Sequence, residues 1–484
     1  MMEQERRPVL RSTRDRISYN AVARLAGRSA GGILSLIALR LSAHYFEPVG
    51  WGPIVTALAF VGLFSTVADF GVSSLLSRDL ARPGEQVGPL FGGGLLGAFG
   101  ASVVLTAAAA AVGALAFHGR ANVVLLVVLM LPTIPLSALF AAASAVLVAR
   151  SRNDIRAIFD IVSSLIPLAG VVALIAEHAG GVAYAIVQSA TDLAMAAIGL
   201  GVVLPMSRPG IRLGLGRAPR LVREALALGF YQAIGVAYDR LDTLLVAGFL
   251  SVTRVAWFGL ASQVTAFFSA VPGIATAAAI PAFMRKDDAG RRALVERIAE
   301  VLTVVAVLVC LIGVLFSKEV LMVIGGRRYL EASTSAALLF GATALSFLTS
   351  VFVTVGYLLD LPRVFLRTSL LVLGSSVAFN LVAIPLWGID GAGAAALVSQ
   401  LVGIAYSGWA VRSATDLMPR LGRVSRLVAV GLAAAGLWLL VDHLFGFAST
   451  GRLVFLEAAL VGVAYLGGAL VVWARRLDRR HTEG

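Results

Sequence analysis

Residues 17–46 read ISYNAVARLAGRSAGGILSLIALRLSAHYF, an apolar run that is interrupted by arginine and asparagine. A transmembrane helix needs about 20 mainly apolar residues, so this run is long enough to cross a bilayer. Asn20, Arg24 and Arg28 recur every four residues. On a helix this spacing places the three side chains along one slowly drifting stripe.

Small residues border this polar stripe, at Gly27, Gly31 and Ser35. Such residues let a second helix approach closely within a membrane. An arginine at the bilayer centre costs roughly 3 kcal/mol on insertion scales, so the arginines should face protein or water rather than lipid. We therefore predict that this first helix lines a central, basic, solvated cavity.

The composition is that of a membrane protein throughout. Of the 484 residues, 59% are hydrophobic and only 14% are charged, and the mean hydropathy is +0.90. So little polar surface cannot cover a soluble domain of this size. The sequence has no P-loop, HExxH, GxSxG or cysteine and histidine metal spacing. We therefore expect no enzymatic activity, no cofactor and no metal centre.

Fourteen apolar runs are long enough to cross the membrane. They lie at residues 17–43, 51–76, 88–117, 121–149, 155–176, 181–205, 222–249, 254–283, 295–316, 332–359, 364–386, 391–411, 424–443 and 453–474. With the N-terminus inside, the eight inner segments hold 25 of the 40 basic residues and the seven outer loops hold five. This alternation follows the positive-inside rule, which explains the net charge of +13 without nucleic-acid binding.

The predicted fold is an all-α polytopic membrane protein with two six-helix lobes and a further C-terminal helix pair. A linker rich in proline, glycine and arginine separates the lobes, as in many transporters that bind substrate between two repeats. The predicted segments are a cytoplasmic tail at 1–16, an N-lobe at 17–205, a linker at 206–221, a C-lobe at 222–412, the helix pair at 413–474 and a cytoplasmic tail at 475–484.

Three arginines within the spans are the main candidates for substrate binding: Arg24, Arg28 and Arg240. A guanidinium group holds phosphate oxygens through two parallel hydrogen bonds, so these residues are predicted to bind an anionic group such as a diphosphate. The alternative is that they pair with carboxylates purely to hold helices together. The carboxylates available for such pairing are Asp69, Asp192, Asp239 and Asp242.

The seventh span concentrates polar groups in the stretch YQAIGVAYDRLD at residues 231–242. Tyr231, Gln232 and Tyr238 are predicted to bind sugar by stacking and hydrogen bonding, and a polar seam between helices is an equal alternative. Asp239 or Asp242 is a candidate for taking up a proton or sodium ion. Two further polar cavity candidates are Asp192 and Asn380.

Several motifs near the N-terminus resemble a known family. They are Asn20 early in the first span, FEPVGWG at 46–52, ADFG at 68–71 and SRDLA at 77–81. Together they are similar to the opening of polysaccharide-export flippases of the Wzx type. These belong to the multidrug/oligosaccharidyl-lipid/polysaccharide exporter superfamily, which also contains lipid II flippases and MATE drug exporters.

The resemblance implies a V-shaped, two-lobed bundle in the bacterial inner membrane, with both termini cytoplasmic. It also implies translocation of an undecaprenyl-diphosphate-linked oligosaccharide by alternating access, alongside polysaccharide polymerase and assembly proteins. Asp69, Gly71 and Arg78 fall on recurring family positions, where we interpret them as a packing and gating element. Fourteen spans exceed the twelve usual for O-antigen flippases, so a lipid II flippase remains an alternative. The others are a cation-coupled drug exporter and a non-transporting scaffold.

Overall fold

A computed structural model describes most of the chain. The described residues are 13–68, 71–80, 87–150, 152–207, 216, 218–269, 271–273, 275–276, 283, 288–359, 361–415, 421–445 and 454–482. Every regular element in these ranges is helical. The helices are α1 Thr13–Val67, α2 Val72–Leu80, α3 Val87–Ala116, α4 Ala121–Met130, α5 Thr133–Ala149, α6 Asn153–Ala176, α7 Gly181–Ser207, α8 Ala218–Phe249, α9 Val252–Ala266, α10 Asp288–Leu315, α11 Ser317–Ile324, a 3₁₀ helix Arg327–Ala332, α12 Ser333–Leu358, α13 Pro362–Ala414, α14 Leu421–Phe445 and α15 Val454–Thr482.

The helix lengths confirm an all-α polytopic membrane protein. Ten stretches of the described chain are long and apolar enough to cross a bilayer. Two of them, Ala26–Leu80 and Arg363–Ala414, contain 55 and 52 residues. At 1.5 Å per residue each would extend about 80 Å, more than twice the roughly 30 Å of a hydrocarbon core. Each of these stretches therefore supplies two crossings, and the more polar α8 and the shorter apolar part of α15 complete the fourteen predicted spans.

The predicted breaks near residues 44–50 and 387–390 are confirmed as sharp turns at Glu47 and Gly388, within the elements α1 and α13. Helix α1 turns at Glu47, whose φ is 54° and ψ is 171°. A residue that precedes proline is driven out of the helical region, and Pro48 follows Glu47 directly. Helix α13 turns at Gly388, where φ is 61° and glycine carries no Cβ penalty.

Two predicted spans are interrupted where a continuous helix was expected. The second span, predicted over 51–76, ends as a helix at Val67 and resumes as α2 after Gly71, whose φ is 77°. The fourth span divides into α4 and α5 at Pro132. Proline has no backbone N–H and its ring clashes with the preceding turn, so the helix breaks there.

The chain forms two compact units. Unit 1 comprises residues 1–38 and 64–233, and within it α5 packs against α2, α3 and α7, while α7 also packs on α4 and α6. Helix α1 lies on α6 through its small residues. A methyl group added at Gly27 would lie 2.7 Å from the Cα of Ala157, and one added at Gly31 would lie 2.6 Å from the carbonyl oxygen of Asp160. The predicted close approach of a second helix is confirmed.

Unit 2 comprises residues 39–63 and 234–484. Helix α12 packs between α10 and α13, and α14 and α15 pack together on α10. Leu427 and Tyr465 belong to the apolar cluster that joins α14 and α15 to α10. Arg423 of α14 adds ion pairs to Glu296 and Glu300 of α10, with N–O distances of 2.6 and 3.1 Å.

The kinked turn of α1 belongs to unit 2 rather than to unit 1. Glu47 forms an ion pair with Arg328, and the hydroxyl of Tyr329 donates to the carbonyl oxygen of Ala43 at 3.3 Å. Gly52 lies against the backbone of Val252, where a Cβ would clash. The segment from residue 39 to residue 63 is thus held by contacts with the 3₁₀ helix and with the start of α9.

Candidate functional site

Helix α8 carries most of the predicted site residues of unit 2. Tyr238 and Asp242 are four residues apart and share one face of this helix, whereas Arg240 lies between them and projects from the opposite side. Asp242 is buried and Arg240 is exposed. The helix therefore presents Tyr238 and Asp242 on one side and a cation on the other.

Asp242 is the centre of a buried polar cluster between α8 and α13, which we call the Asp242 node. The hydroxyl of Ser376 donates to Oδ1 of Asp242 at 2.7 Å, and Nδ2 of Asn380 donates to the same oxygen at 2.8 Å. Asn380 is completely buried. Its Oδ1 has no hydrogen-bond partner among the described residues. The node therefore surrounds one carboxylate with donors and keeps one amide oxygen available as an acceptor.

Tyr238 joins α8 to α12 and α13 through a second set of hydrogen bonds. Nε2 of Gln400 donates to the tyrosine hydroxyl at 2.9 Å, and the hydroxyl of Thr349 donates to Oε1 of Gln400 at 3.4 Å. Ser399 lies 3.4 Å from the same tyrosine oxygen. These hydrogen bonds are of the kind expected for a polar seam between helices. Such a seam was the alternative to sugar binding for Tyr238.

The guanidinium of Arg240 lies against Gly62 in the second half of α1. A Cβ built on Gly62 would be 3.5 Å from both Cζ and Nε of Arg240 and 3.7 Å from Nη2. Arg240 is nine residues from the end of α8 at Phe249, which is about 14 Å along the axis and close to half of a bilayer core. It forms no ion pair with a carboxylate within the described part of the chain.

Arg28 is the corresponding cation of unit 1. It follows Gly27, the residue at which α1 touches α6, and its side chain is exposed. One turn and two turns further along, Gly31 packs on Asp160, and the hydroxyl of Ser35 donates to that of Ser164 at 3.1 Å. No carboxylate among the described residues pairs with Arg28. The side chains of Asn20 and Arg24 lie outside the described residues.

The remaining predicted site residues fall into two groups. Asp192 is half-buried in α7 and accepts a hydrogen bond from Nε2 of Gln188 at 3.4 Å. Asp69 and the side chains of Tyr231, Gln232 and Asp239 lie outside the described residues.

The sequence analysis missed the groups that fix the α8 residues in place. Ser376, Gln400 and Thr349 lie on α12 and α13, more than a hundred positions from Tyr238 and Asp242. The only available signal was an isolated amide within the apolar run LVSQLVG. Asp160, an isolated acid in the fifth span, was also missed.

These contacts define what the site can do chemically. Arg28 and Arg240 offer charge-assisted hydrogen bonds to an anion, while the Asp242 node holds a buried carboxyl group among hydrogen-bond donors of α13. The described residues contain no group of three histidine, cysteine or acidic side chains that could hold a metal ion.

Comparison with protein families shows to which family this chain belongs. A family model described as polysaccharide biosynthesis protein matches residues 43–334, more than half of the chain. The chain belongs to this polysaccharide biosynthesis protein family. The matched region includes the kink of α1, all of α8 and the 3₁₀ helix, and therefore both Gly62 and Arg240. No curated protein sequence gives a significant match.

Solved structures share the fold of this polysaccharide biosynthesis protein at low sequence identity. The lipid II flippase MurJ in an inward closed conformation matches with a TM-score of 0.80 and 13% identity, over 95% of this chain and 100% of that one. The eukaryotic MATE transporter AtDTX14 matches at 0.63 and 15%, over 84% and 96% of the two chains. A mutant form of the Vibrio cholerae MATE transporter VcmN matches at 0.57 and 15%, over 83% and 99%. The family assignment and the shared fold together describe a polytopic membrane protein of the polysaccharide biosynthesis family.

Proposed function

We propose that this protein moves a polyprenyl-diphosphate-linked oligosaccharide from the inner to the outer leaflet of a bacterial inner membrane by alternating access. Undecaprenyl diphosphate is the proposed carrier, and both termini are proposed to be cytoplasmic. The observation that supports this most is Arg240, a cation near the middle of a membrane-length helix that has no carboxylate partner among the described residues.

An arginine at this depth needs an anion or water to offset its desolvation. The diphosphate of a lipid carrier supplies several oxygens to which a guanidinium binds through two parallel hydrogen bonds. Arg24, Arg28 and Arg240 are the proposed ligands of the diphosphate. Asn20, Tyr231 and Gln232 are the proposed contacts of the sugar, and Tyr238 is proposed to hold α8 in the orientation that such contacts require.

The Asp242 node is the proposed coupling site. Proton or sodium uptake there would neutralise the carboxylate that Ser376 and Asn380 now stabilise. The amide oxygen of Asn380, which accepts no hydrogen bond from a described residue, is a proposed ligand for the added ion. Because the node joins α8 to α13, a change of its charge alters the contact between these helices. Asp69, Asp192 and Asp239 remain the other coupling or gating candidates.

The test is translocation by the purified chain in proteoliposomes, with a fluorescent polyprenyl-diphosphate oligosaccharide and a membrane-impermeant quencher. We expect translocation by the wild type and its loss in Arg28→Ala and Arg240→Ala. Arg40→Ala provides a matched control, since Arg40 is an exposed arginine near the kink of α1. Stable Arg28→Ala and Arg240→Ala variants that translocate at the wild-type rate would contradict the proposal.

Two further substrates in the same assay separate the alternatives. Fluorescent lipid II tests peptidoglycan-precursor transport, an alternative suggested by the further helix pair α14–α15 packed on α10. A cationic dye tests MATE-like drug export. Faster translocation of lipid II than of the oligosaccharide lipid, together with rescue of cells depleted of their own lipid II flippase, would replace the proposed substrate.

A further inference from the structure

We infer that Gly62 positions Arg240, because its missing side chain leaves the space over α1 that the guanidinium faces. This inference rests on the proposed binding of a diphosphate by Arg240 and names the element of α1 that orients the arginine. The ligand class is an oxyanion of the phosphate or diphosphate type.

The distances indicate how the guanidinium is oriented. Cζ, Nε and Nη2 of Arg240 lie within 3.5–3.7 Å of the position that a Cβ of Gly62 would occupy. Three atoms of a planar group can be nearly equidistant from one point at this range only when the point faces the plane rather than its edge. The guanidinium therefore turns its plane toward Gly62, and its N–H edges point sideways along α1.

A flat guanidinium is the arrangement that favours an oxyanion. Arginine binds phosphate through two N–H groups of one edge, so that edge must stay clear of the helix that the plane faces. A lysine ammonium has no plane and no such edge. The orientation at Gly62 therefore matters for anion binding by arginine at position 240, but not for binding by lysine.

The rotation of α8 explains why Arg240 must meet α1 at this position. Tyr238 is fixed by Gln400 at 2.9 Å, and Asp242 is fixed by Ser376 at 2.7 Å and Asn380 at 2.8 Å. Two hydrogen-bonded anchors on one face prevent the helix from turning about its axis. The side chain between them has only the opposite side available, where Gly62 lies.

The absence of a side chain at position 62 determines how much space lies between α1 and the guanidinium of Arg240. A methyl group at position 62 would sit at 3.5 Å from the guanidinium, which is an ordinary contact, so Gly62→Ala should be tolerated. The branched side chain of valine extends beyond that point into the volume that the guanidinium fills. Gly62→Val should therefore displace Arg240 without removing its charge.

The experiment measures binding of inorganic pyrophosphate to the purified full-length chain in nanodiscs. We expect Gly62→Val to weaken binding about tenfold, the effect of losing one charge-assisted hydrogen bond, and Gly62→Ala to weaken it less than about threefold. Gly248→Val is the matched control, because Gly248 lies on α8 with open space around its Cβ position. Thermal melts of all variants separate misfolding from loss of binding.

A double-mutant cycle distinguishes positioning from general damage. In an Arg240→Lys background, Gly62→Val should change pyrophosphate affinity less than about twofold, because no planar group remains to be displaced. An equal effect of Gly62→Val in both backgrounds would overturn the inference, as would wild-type affinity in Gly62→Val. Wild-type affinity in Arg240→Ala would instead overturn the proposed binding of the anion, and this inference with it.

Discussion

Helices α1 and α8 each carry an exposed arginine on a membrane-length helix, but they hold it in place by different means. In unit 1, α1 approaches α6 through Gly27 and Gly31, so backbone meets backbone. In unit 2, α8 is fixed by hydrogen bonds that side chains of α13 donate to Tyr238 and Asp242. The comparison teaches that close packing of small residues and buried polar groups are alternative ways to orient a costly cation.

The largest expected effect comes from breaking the packing of α1. Gly31→Leu places a branched side chain where even a methyl group would lie 2.6 Å from the carbonyl oxygen of Asp160. Backbone cannot move aside cheaply, so we expect a loss of about 3 kcal/mol in unfolding free energy, at the upper end of overpacking costs. Unfolding in mixed detergent checks this. Gly100→Leu in α3 is the control, since nothing lies near its Cβ position, and equal stability of the two variants would contradict the packing account.

The second prediction concerns the charge of the Asp242 node. Asp242→Asn keeps an oxygen that accepts from Ser376 and Asn380, so the fold should lose no more than about 1.5 kcal/mol. The charge change that drives coupling is removed, and we expect translocation in proteoliposomes to become insensitive to imposed proton and sodium gradients. A variant that still responds to a gradient as the wild type does would exclude Asp242 as the coupling residue.

A smaller effect is expected from the seam around Tyr238. Tyr238→Phe removes the hydroxyl that accepts from Gln400 and leaves the buried amide short of one partner. We expect about 1 kcal/mol of destabilisation. Gln400→Leu in the same background should add little, because both partners of the hydrogen bond are then gone. Additive losses in the double variant would show that the two residues act independently.

The smallest expected effect is at the kink of α1. Glu47 has a positive φ, which is uncommon for a side-chain-bearing residue, and it pairs with Arg328. Glu47→Gly relieves the strain and removes an exposed ion pair worth no more than about 1 kcal/mol, so the two effects should nearly cancel. A melting temperature within a few degrees of the wild type is expected, whereas a large loss would assign the ion pair a greater role.

The sequence predicts the helices well because each membrane-spanning helix corresponds to a continuous apolar run. The packing of Gly27 and Gly31 was also predictable, since small residues at helical spacing have one common use in membranes. The positions of the breaks at Glu47 and Gly388 were predictable too, because the apolar runs stop there, but the sharpness of the turns was not.

The polar anchors of α8 lay beyond sequence reasoning for a different reason. Asp242 and Tyr238 were visible as polar residues in an apolar helix, yet their partners are 134 to 162 positions away along the chain. Periodicity states which residues share a face, but not which helix meets that face. Gly62 was missed for the same reason, since only the fold brings it to Arg240.

The most direct test of the central claim is the translocation rate of a fluorescent polyprenyl-diphosphate oligosaccharide by wild-type and Arg240→Ala protein in matched proteoliposomes. If an arginine held beside Gly62 binds the diphosphate, the variant should remain folded and translocate at least about a hundredfold more slowly, as expected when a desolvated charged contact is lost. A folded Arg240→Ala variant with an unchanged rate would contradict the account.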